Sequence, residues 1–258
     1  MEFVAESFQP VTASRVASWS VGETDLPARA VWVTFDDGDP SVIERAQPIL
    51  DRMGIEATLF VCPGLVDTTQ PYWWQLVEKA LALGIDAATL PLEALSIAKL
   101  KSVDDPTRRR LVDRIADLLE MRLGFPFKRR QLTSQEIDSW LASGHRVGNH
   151  TWDHPLLDTC SPQEQVDQIA RADRWLRDYT AETLRLFAYP NGNWSPESED
   201  ALVSLDYQIG VAFDHRIASN RSRFRLSRLR ATAGEDLRRF RSILSGAHPL
   251  IHRLRGLQ

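Results

Sequence analysis

The sequence predicts an α/β protein built on a parallel sheet or a β/α barrel. Short runs of β-branched and aromatic residues alternate with longer amphipathic runs along the chain, the pattern of strands joined by helical crossovers. No internal repeat or low-complexity linker divides the 258 residues, which suits one large domain. In either architecture ligands gather at the carboxyl ends of the strands. Function should therefore be read from the polar residues that follow each predicted strand.

Val31–Phe35 is the first predicted buried strand, ending at a turn signal. Ser41 caps a helix over "VIERAQPILDRM" that Gly54 stops, and Pro48 inside it should kink or split it. "ATLFV", 57–61, is the next strand, and "WWQLVEKALAL", 73–83, a helix ending at Gly84. Residues 105–124 form an amphipathic helix with Leu111, Ile115, Leu118, Leu119 and Leu123 on one face. Thr133 with Glu136 is a capping box for a short helix that Gly144 ends. "HRVGNH", 145–150, is a strand, and Ser161 with Glu164 caps a helix reaching about Asp178. Strands follow at 184–190, 207–213 and 223–229, with a helix after Ser195 and Pro196 and a closing helix at 234–246. The stretch from about 64 to 130 is the one long excursion, a helical insertion over the site within a single domain spanning 1–258.

Bulk properties exclude several classes. Hydrophobic content of 43% and charged content of 26% describe an ordinary globular chain. A net charge of −4 gives no electrostatic reason for a nucleic-acid partner. Basic residues cluster at Arg108–Arg110, Lys128–Arg130 and Arg221–Arg255; these read as solvated faces, with an anionic ligand as the alternative. Cys62 and Cys160 have neither a disulfide framework nor paired metal spacing. The start, "MEFVAESFQP", lacks a basic region followed by an apolar core, so cytoplasmic residence is the expectation. No apolar run approaches the roughly 20 residues of a membrane span.

The chemistry lies in two clusters. "TFDDG", 34–38, ends a strand with two adjacent acids. Packed away from water they repel, and one would stay protonated; a cation would relieve this. "NHTWDHP", 149–155, follows another strand and carries His150 and His154 four residues apart, close enough for one ion on a helical turn or tight loop. Two neutral imidazoles and a carboxylate, with positions open to water, suit catalytic zinc, with cobalt, nickel or manganese as alternatives. One acid then ligates, and the other takes a proton from water whose pKa the ion lowers from about 15.7 toward about 7.

With "FAYPNG" at 187–192, "TFDDG" and "HTWDHP" resemble in order and spacing the first three motifs of the polysaccharide deacetylases, the carbohydrate esterase group that includes the nodulation chitooligosaccharide deacetylase. The resemblance covers roughly Val31 to Phe240 and implies a distorted β/α barrel of seven strands. It implies removal of acetyl groups, N-linked more often than O-linked, from sugars. It assigns Asp37, His150 and His154 to the metal, Asp36 to the general base, and the backbone N–H of Asn191 to the oxyanion. It also makes Thr151 the anchor of the histidine loop. Tyr189 and Pro190 of the third motif are candidate substrate contacts, although Pro190 with Gly192 also reads simply as a tight turn.

Two departures stand out. Relatives often carry a base-orienting arginine where this chain has Ala188, and a general-acid histidine on the last strand, where 225–231 has none. Arg228 is placed in that last region, as a group that steadies charge or binds substrate, and Arg185 need not replace the missing arginine. Trp73 and Trp74, beside Tyr72, are a candidate sugar platform, with core packing as the rival reading. His145 reads as a buried hydrogen-bonded residue, and His215, His248 and His252 as surface residues. The expected partner is an acetylated amino sugar or glycan precursor. The alternatives are a deformylase or other small-amide hydrolase, and an inactive glycan-binding module.

Overall fold

Parallel strands need crossovers long enough to carry the chain back across the sheet, and the amphipathic runs supply them. The computed structural model describes residues 1–85, 96–218, 221–232 and 234–246. The order is α1 (Glu2–Ser7), β1 (Gln9–Pro10), α2 (Ala13–Ser20), β2 (Ala30–Val31), β3 (Val33–Phe35), α3 (Gln47–Met53) and β4 (Ala57–Val61). Then come α4 (Trp73–Ala82), α5 (Ile97–Lys101), α6 (Asp105–Leu123), α7 (Ser134–Ala142) and β5 (Arg146–Asn149). The chain continues with α8 (Pro162–Tyr179), β6 (Leu186–Ala188), α9 (Pro196–Ser204), β7 (Ile209–Val211) and α10 (Leu237–Leu244).

β3 to β7 lie side by side in chain order as a five-stranded parallel sheet, and β1 with β2 makes a second, two-stranded one. The expected strand at 31–35 is split at Trp32, whose indole N–H donates to Thr58. Its first half pairs with β1 and its second with β4, so the sheet curls into a distorted, partly open barrel. The expected count of seven strands is thus corrected to five in the main sheet among the described residues. The expected last strand, 223–229, contracts to a single bridge between Leu226 and Val211. Gly210 donates to the Arg223 carbonyl and Ala212 to the Leu226 carbonyl, so three residues oppose two and the ladder breaks. The guanidiniums of Arg223 and Arg228 occupy carbonyls of Gln208 and Ala212 instead.

Pro48 divides its segment as expected. A wide, π-helical turn at Val42–Ala46 precedes α3, which then accepts the proline in its first turn. The first thirty residues, for which periodicity predicted no element, supply Val11, Ala13, Val16 and Ala17 to the interior cluster. These pack with Phe60, Leu186, Ala188, Ile209, Val211 and Leu226. On the other face Leu50, Leu59, Val61, Ile137, Trp140 and Val147 join α3 and α7 to the sheet. His145 is buried there, its Nδ1 accepting from the Ala57 N–H and its Nε2 meeting Asp51 at 2.9 Å. The excursion between β4 and β5 contributes α4, α5 and α6, which bury their own cluster of Leu76, Val77, Ala80, Leu100, Val112, Ile115 and Leu119.

Gly210 lies where the bridge segment crosses β7. A Cβ there would stand 2.7 Å from the Phe224 carbonyl oxygen and 3.0 Å from Leu202, and backbone cannot yield cheaply. Gly210→Ala should therefore lower stability by about 1–3 kcal/mol, read from the urea midpoint. A wild-type midpoint would mean that residues 223–226 do not pack on this strand.

Candidate metal centre

Four residues at the carboxyl end of the sheet hold left-handed backbone without being glycine: Asp37 (φ 70°), Thr151 (68°), His154 (63°) and Asn191 (56°). Each such conformation costs on the order of 1–3 kcal/mol and persists where the surroundings over-determine it. The turn at Asp37, directly after Asp36, sends the two neighbouring carboxylates to different partners.

Asp37 faces the histidines. Its Oδ1 is 3.3 Å from Nε2 of His150 and 3.2 Å from Nε2 of His154. One ligand atom from each of the three lies within 4.8 Å of the others. The imidazoles stand 4.9 Å apart at 74°, so they approach one point from different directions. His150 Nδ1 is 2.7 Å from the Ala188 carbonyl. A carbonyl only accepts, so Nδ1 carries the proton and Nε2 presents its lone pair inward. His154 is held by aromatic rings, Trp74 at 4.5 Å and Tyr72 at 5.8 Å.

The loop that carries the histidines is tied at several points. Thr151 Oγ1 donates to the His150 carbonyl and accepts from the His154 N–H at 3.1 Å. The Thr151 N–H donates to Asn149, and those of Trp152 and Asp153 donate to Gln168 of α8. Gly64 donates to the Trp152 carbonyl, and any Cβ at Gly64 would collide with the Trp152 indole at 2.5 Å. The Tyr72 hydroxyl donates to the carbonyl of Asp37.

Asp36 faces Arg228, 192 residues away in sequence, which holds both its carboxylate oxygens at 2.7 and 2.8 Å. Two further guanidinium donors go to Thr34 and to the Ala212 carbonyl, both at 3.1 Å. The group lies over the Phe60 ring. Such a bidentate fork fixes the carboxylate plane as well as its charge. Arg228 thus sits against Asp36, the residue expected to be the base, while Ala188 lends only its carbonyl to His150.

Burial alone would drive these groups toward neutrality; their partners decide otherwise. It would raise the Asp37 carboxyl, yet hydrogen bonds to His150 and His154 hold it far below the usual carboxylate range. For Asp36, burial is outweighed by the Arg228 charge and then by His150, and the carboxyl is lowered. His150 is raised despite burial, first by Asp36 and then by Asp37. His154 is lowered, burial leading and the His150 charge adding to it. One oxygen and two inward nitrogens therefore meet as electron-pair donors beside a fixed anion. This donor set fits a divalent cation of the zinc type.

Other predicted residues fall elsewhere. Asn191 lies in the tight turn Pro190–Gly192 after β6. A Cβ on Gly192 would stand 2.3 Å from that of Phe213, so this turn requires glycine. Tyr189 is fully buried against Phe187, and Pro190 is buried as well. Their side chains pack into the core, although the motif made them candidate substrate contacts. The strand before them is buried on both faces, so the residues that follow it stay inside whichever way they point. Trp74 stacks on Tyr72 at 4.4 Å behind His154. Trp73 borders a cavity of about 410 Å³ with Arg108, Asp105, Asp153 and His154. Arg108 itself is buried on Asp105 and Thr159, not solvated as its charge run implied. Arg185 turns to the Leu205 carbonyl, away from Asp36. His215 is partly exposed beside Phe213; His248 and His252 lie outside the described residues. Sequence reasoning passed over Gln168 and Lys101; the latter, from α5, reaches the side chain of Asn191, a contact that no local pattern signals.

A family model described as polysaccharide deacetylase matches residues 23–210. A Bacillus subtilis protein named "Putative polysaccharide deacetylase YxkH" is 25% identical over 228 residues, covering 88% of this chain and 60% of its own length. The chain therefore spans less than two thirds of that relative. A chitooligosaccharide deacetylase of Bradyrhizobium is 38% identical over 80 residues, 31% of this chain and 35% of that protein. Among solved structures, the Streptococcus pyogenes deacetylase PplD in complex with acetate superposes with a TM-score of 0.64 at 18% identity, over 94% of this chain and 82% of that one. IcaB from Ammonifex degensii gives 0.63 at 19% identity, over 95% and 85%. At these identities the structural likeness is one of fold.

The donor set generates a direct expectation. At neutral pH zinc should bind at about one equivalent, and His154→Ala should weaken it by more than about 100-fold, beyond what loss of an outer contact costs. Isothermal titration reads both; a protein that stays metal-free at micromolar zinc would rule the site out.

Proposed function

The chain belongs to the polysaccharide deacetylase family, and from that premise we propose that it is a metal-dependent hydrolase that removes acetyl groups from N-acetylated sugars. The observation that carries this reading is the divided acid pair, with Asp37 meeting His150 and His154 while Asp36 is clamped by Arg228. A divalent cation at Asp37, His150 and His154, zinc before cobalt, nickel or manganese, would polarise the acetyl carbonyl and acidify the attacking water.

The chain's own residues supply the rest of the reaction. Asp36 is ionised and fixed, and it takes the proton of the attacking water. The backbone N–H of Asn191 donates to the oxyanion that forms on the acetyl oxygen. Asp36 then returns the proton to the departing nitrogen, so that acetate and a free amine leave. Arg228 cannot give up a proton near neutral pH; it is a positioning residue that orients Asp36 and keeps it charged. The Asp36–Arg228 pair favours this reading over an inactive glycan-binding module, because a module that only binds needs no clamped base. A deformylase or other small-amide hydrolase would use the same groups, and a substrate panel separates the two.

Acetate should be released from N-acetylated chitooligosaccharides in the presence of zinc. Asp36→Asn should keep the metal and lose about 10² to 10⁴ in kcat; an empty site in that variant would mean that both acids ligate.

Replacing Arg228 gives a signed pH effect. Asp36 acts as a carboxylate, and Arg228 lowers its pKa against the burial that raises it. In Arg228→Gln burial prevails, the pKa rises, and the acid limb of kcat/KM moves to higher pH. An unmoved acid limb would remove Arg228 from this role.

The return of the proton by Asp36 predicts little need for a second acid. His215→Ala should cost less than about tenfold in kcat, whereas loss of a true general acid costs about 10² or more. A drop beyond about a hundredfold with metal retained would move the acid to His215.

A further inference from the structure

Asp36 neutralises Arg228, but Arg230, two residues on and exposed, has no carboxylate partner among the described residues. Arg230 lies over the ring of Phe213, the residue against which Gly192 packs. From the other side, Lys101 at the end of α5 reaches across 90 residues of sequence to the side-chain oxygen of Asn191. The two cations thus flank the Pro190–Gly192 turn, which holds the candidate oxyanion donor. They are close enough that, after partial burial, the Arg230 charge is the next cause lowering the Lys101 ammonium below its ordinary value. Among the described residues neither Lys101 nor Arg230 forms an ion pair with a carboxylate. Asp158, which bonds the same turn, is engaged by the Asn193 amide. Two like charges held together at a site mouth destabilise each other until an anion arrives.

We propose that Lys101 and Arg230 form an anion subsite, and that the sugar processed here carries a phosphate or carboxylate beside its acetylated amine. The inference rests on the deacetylase reading for where the sugar lies, and goes beyond it in naming the charge of the substrate. Arginine and lysine are the side chains that recognise such oxyanions through charge-assisted hydrogen bonds. A neutral chitooligosaccharide would leave both cations uncompensated. The lysine belongs to the excursion between β4 and β5, so this subsite is assembled from two distant parts of the chain.

The test compares glucose, glucuronic acid and glucose 6-phosphate, which lack the scissile amide, as ligands of the zinc-loaded full chain at low salt. An anionic sugar should bind about tenfold tighter than glucose, the scale of one or two partly exposed charged contacts. Whether phosphate or carboxylate leads identifies the source of the charge. The preference should fall with added salt. It should shrink in Lys101→Met and in Arg230→Met, and vanish in the double variant, with folding checked by circular dichroism. Equal affinity for the three sugars overturns the proposal on wild-type protein alone. A preference that survives the double substitution also overturns it, since the metal would then hold the anion. Kinetics on N-acetylglucosamine, its 6-phosphate and N-acetylmuramic acid separate the two readings. Anion preference without acetate release from any of them would sink the deacetylase reading and leave the subsite standing. Acetate release with the same KM for all three would do the reverse.

Discussion

Two carboxylates on consecutive residues cannot share one poorly hydrated environment as anions without a strong penalty. The end of β3 places Asp36 and Asp37 side by side and only partly exposed, and the rest of the site is organised around separating them. The left-handed turn at Asp37 directs one acid to His150 and His154 and leaves the other to Arg228. Each anion then has its own cationic or cation-binding partner. The proposed division of labour, a ligand beside a base, rests on this electrostatic separation.

The separation requires precision from three strand ends. β5 delivers His150, and β6 delivers the Ala188 carbonyl that fixes its tautomer. Because β5 and β6 are neighbours in the sheet, that hydrogen bond is a product of register. His154 has no strand beneath it, so its placement falls to the loop. Thr151, Gln168, Gly64 and the rings of Tyr72 and Trp74 do there what the ladder does for His150. The same tying holds Thr151 and His154 in costly left-handed backbone conformations, strain that rigid packing offsets.

The helices between β4 and β5 are joined to the site at several places. Tyr72 bonds the Asp37 backbone, Arg109 pairs with Asp153 of the histidine loop at 3.0 Å, and Lys101 reaches Asn191. α4 and α6 have their own apolar cluster, which lets their polar edges serve the site without weakening the barrel. The edges that these helices turn toward the site carry charge, and charge at a binding site governs specificity and encounter more than raw affinity.

Much of this was legible in the residues themselves. Alternation of strand-like and helical runs fixed the α/β class, and two acids and two histidines after predicted strands marked the candidate centre. Those signals are local: hydrophobic period, capping boxes and polar clusters at strand ends depend on neighbours within a few residues. The first thirty residues escaped because β1 and α2 are too short to show a period. The last strand is read too long from sequence because Arg223 and Arg225 alternate with Phe224 and Leu226 as a strand would, yet Arg223 and Arg228 spend their guanidiniums on backbone carbonyls. Tyr189 and Pro190 share a motif with Asn191, but only the packed core decides that their side chains turn inward. Arg228 on Asp36 and Lys101 on Asn191 join residues 192 and 90 apart. Such pairs leave no trace in a local pattern, since the curl of the sheet and the packing of a distant helix bring them together. The sequence by itself determined which chemical groups are present and which strand ends carry them; the tertiary structure decided which charges meet, because only closure of the chain sets those distances.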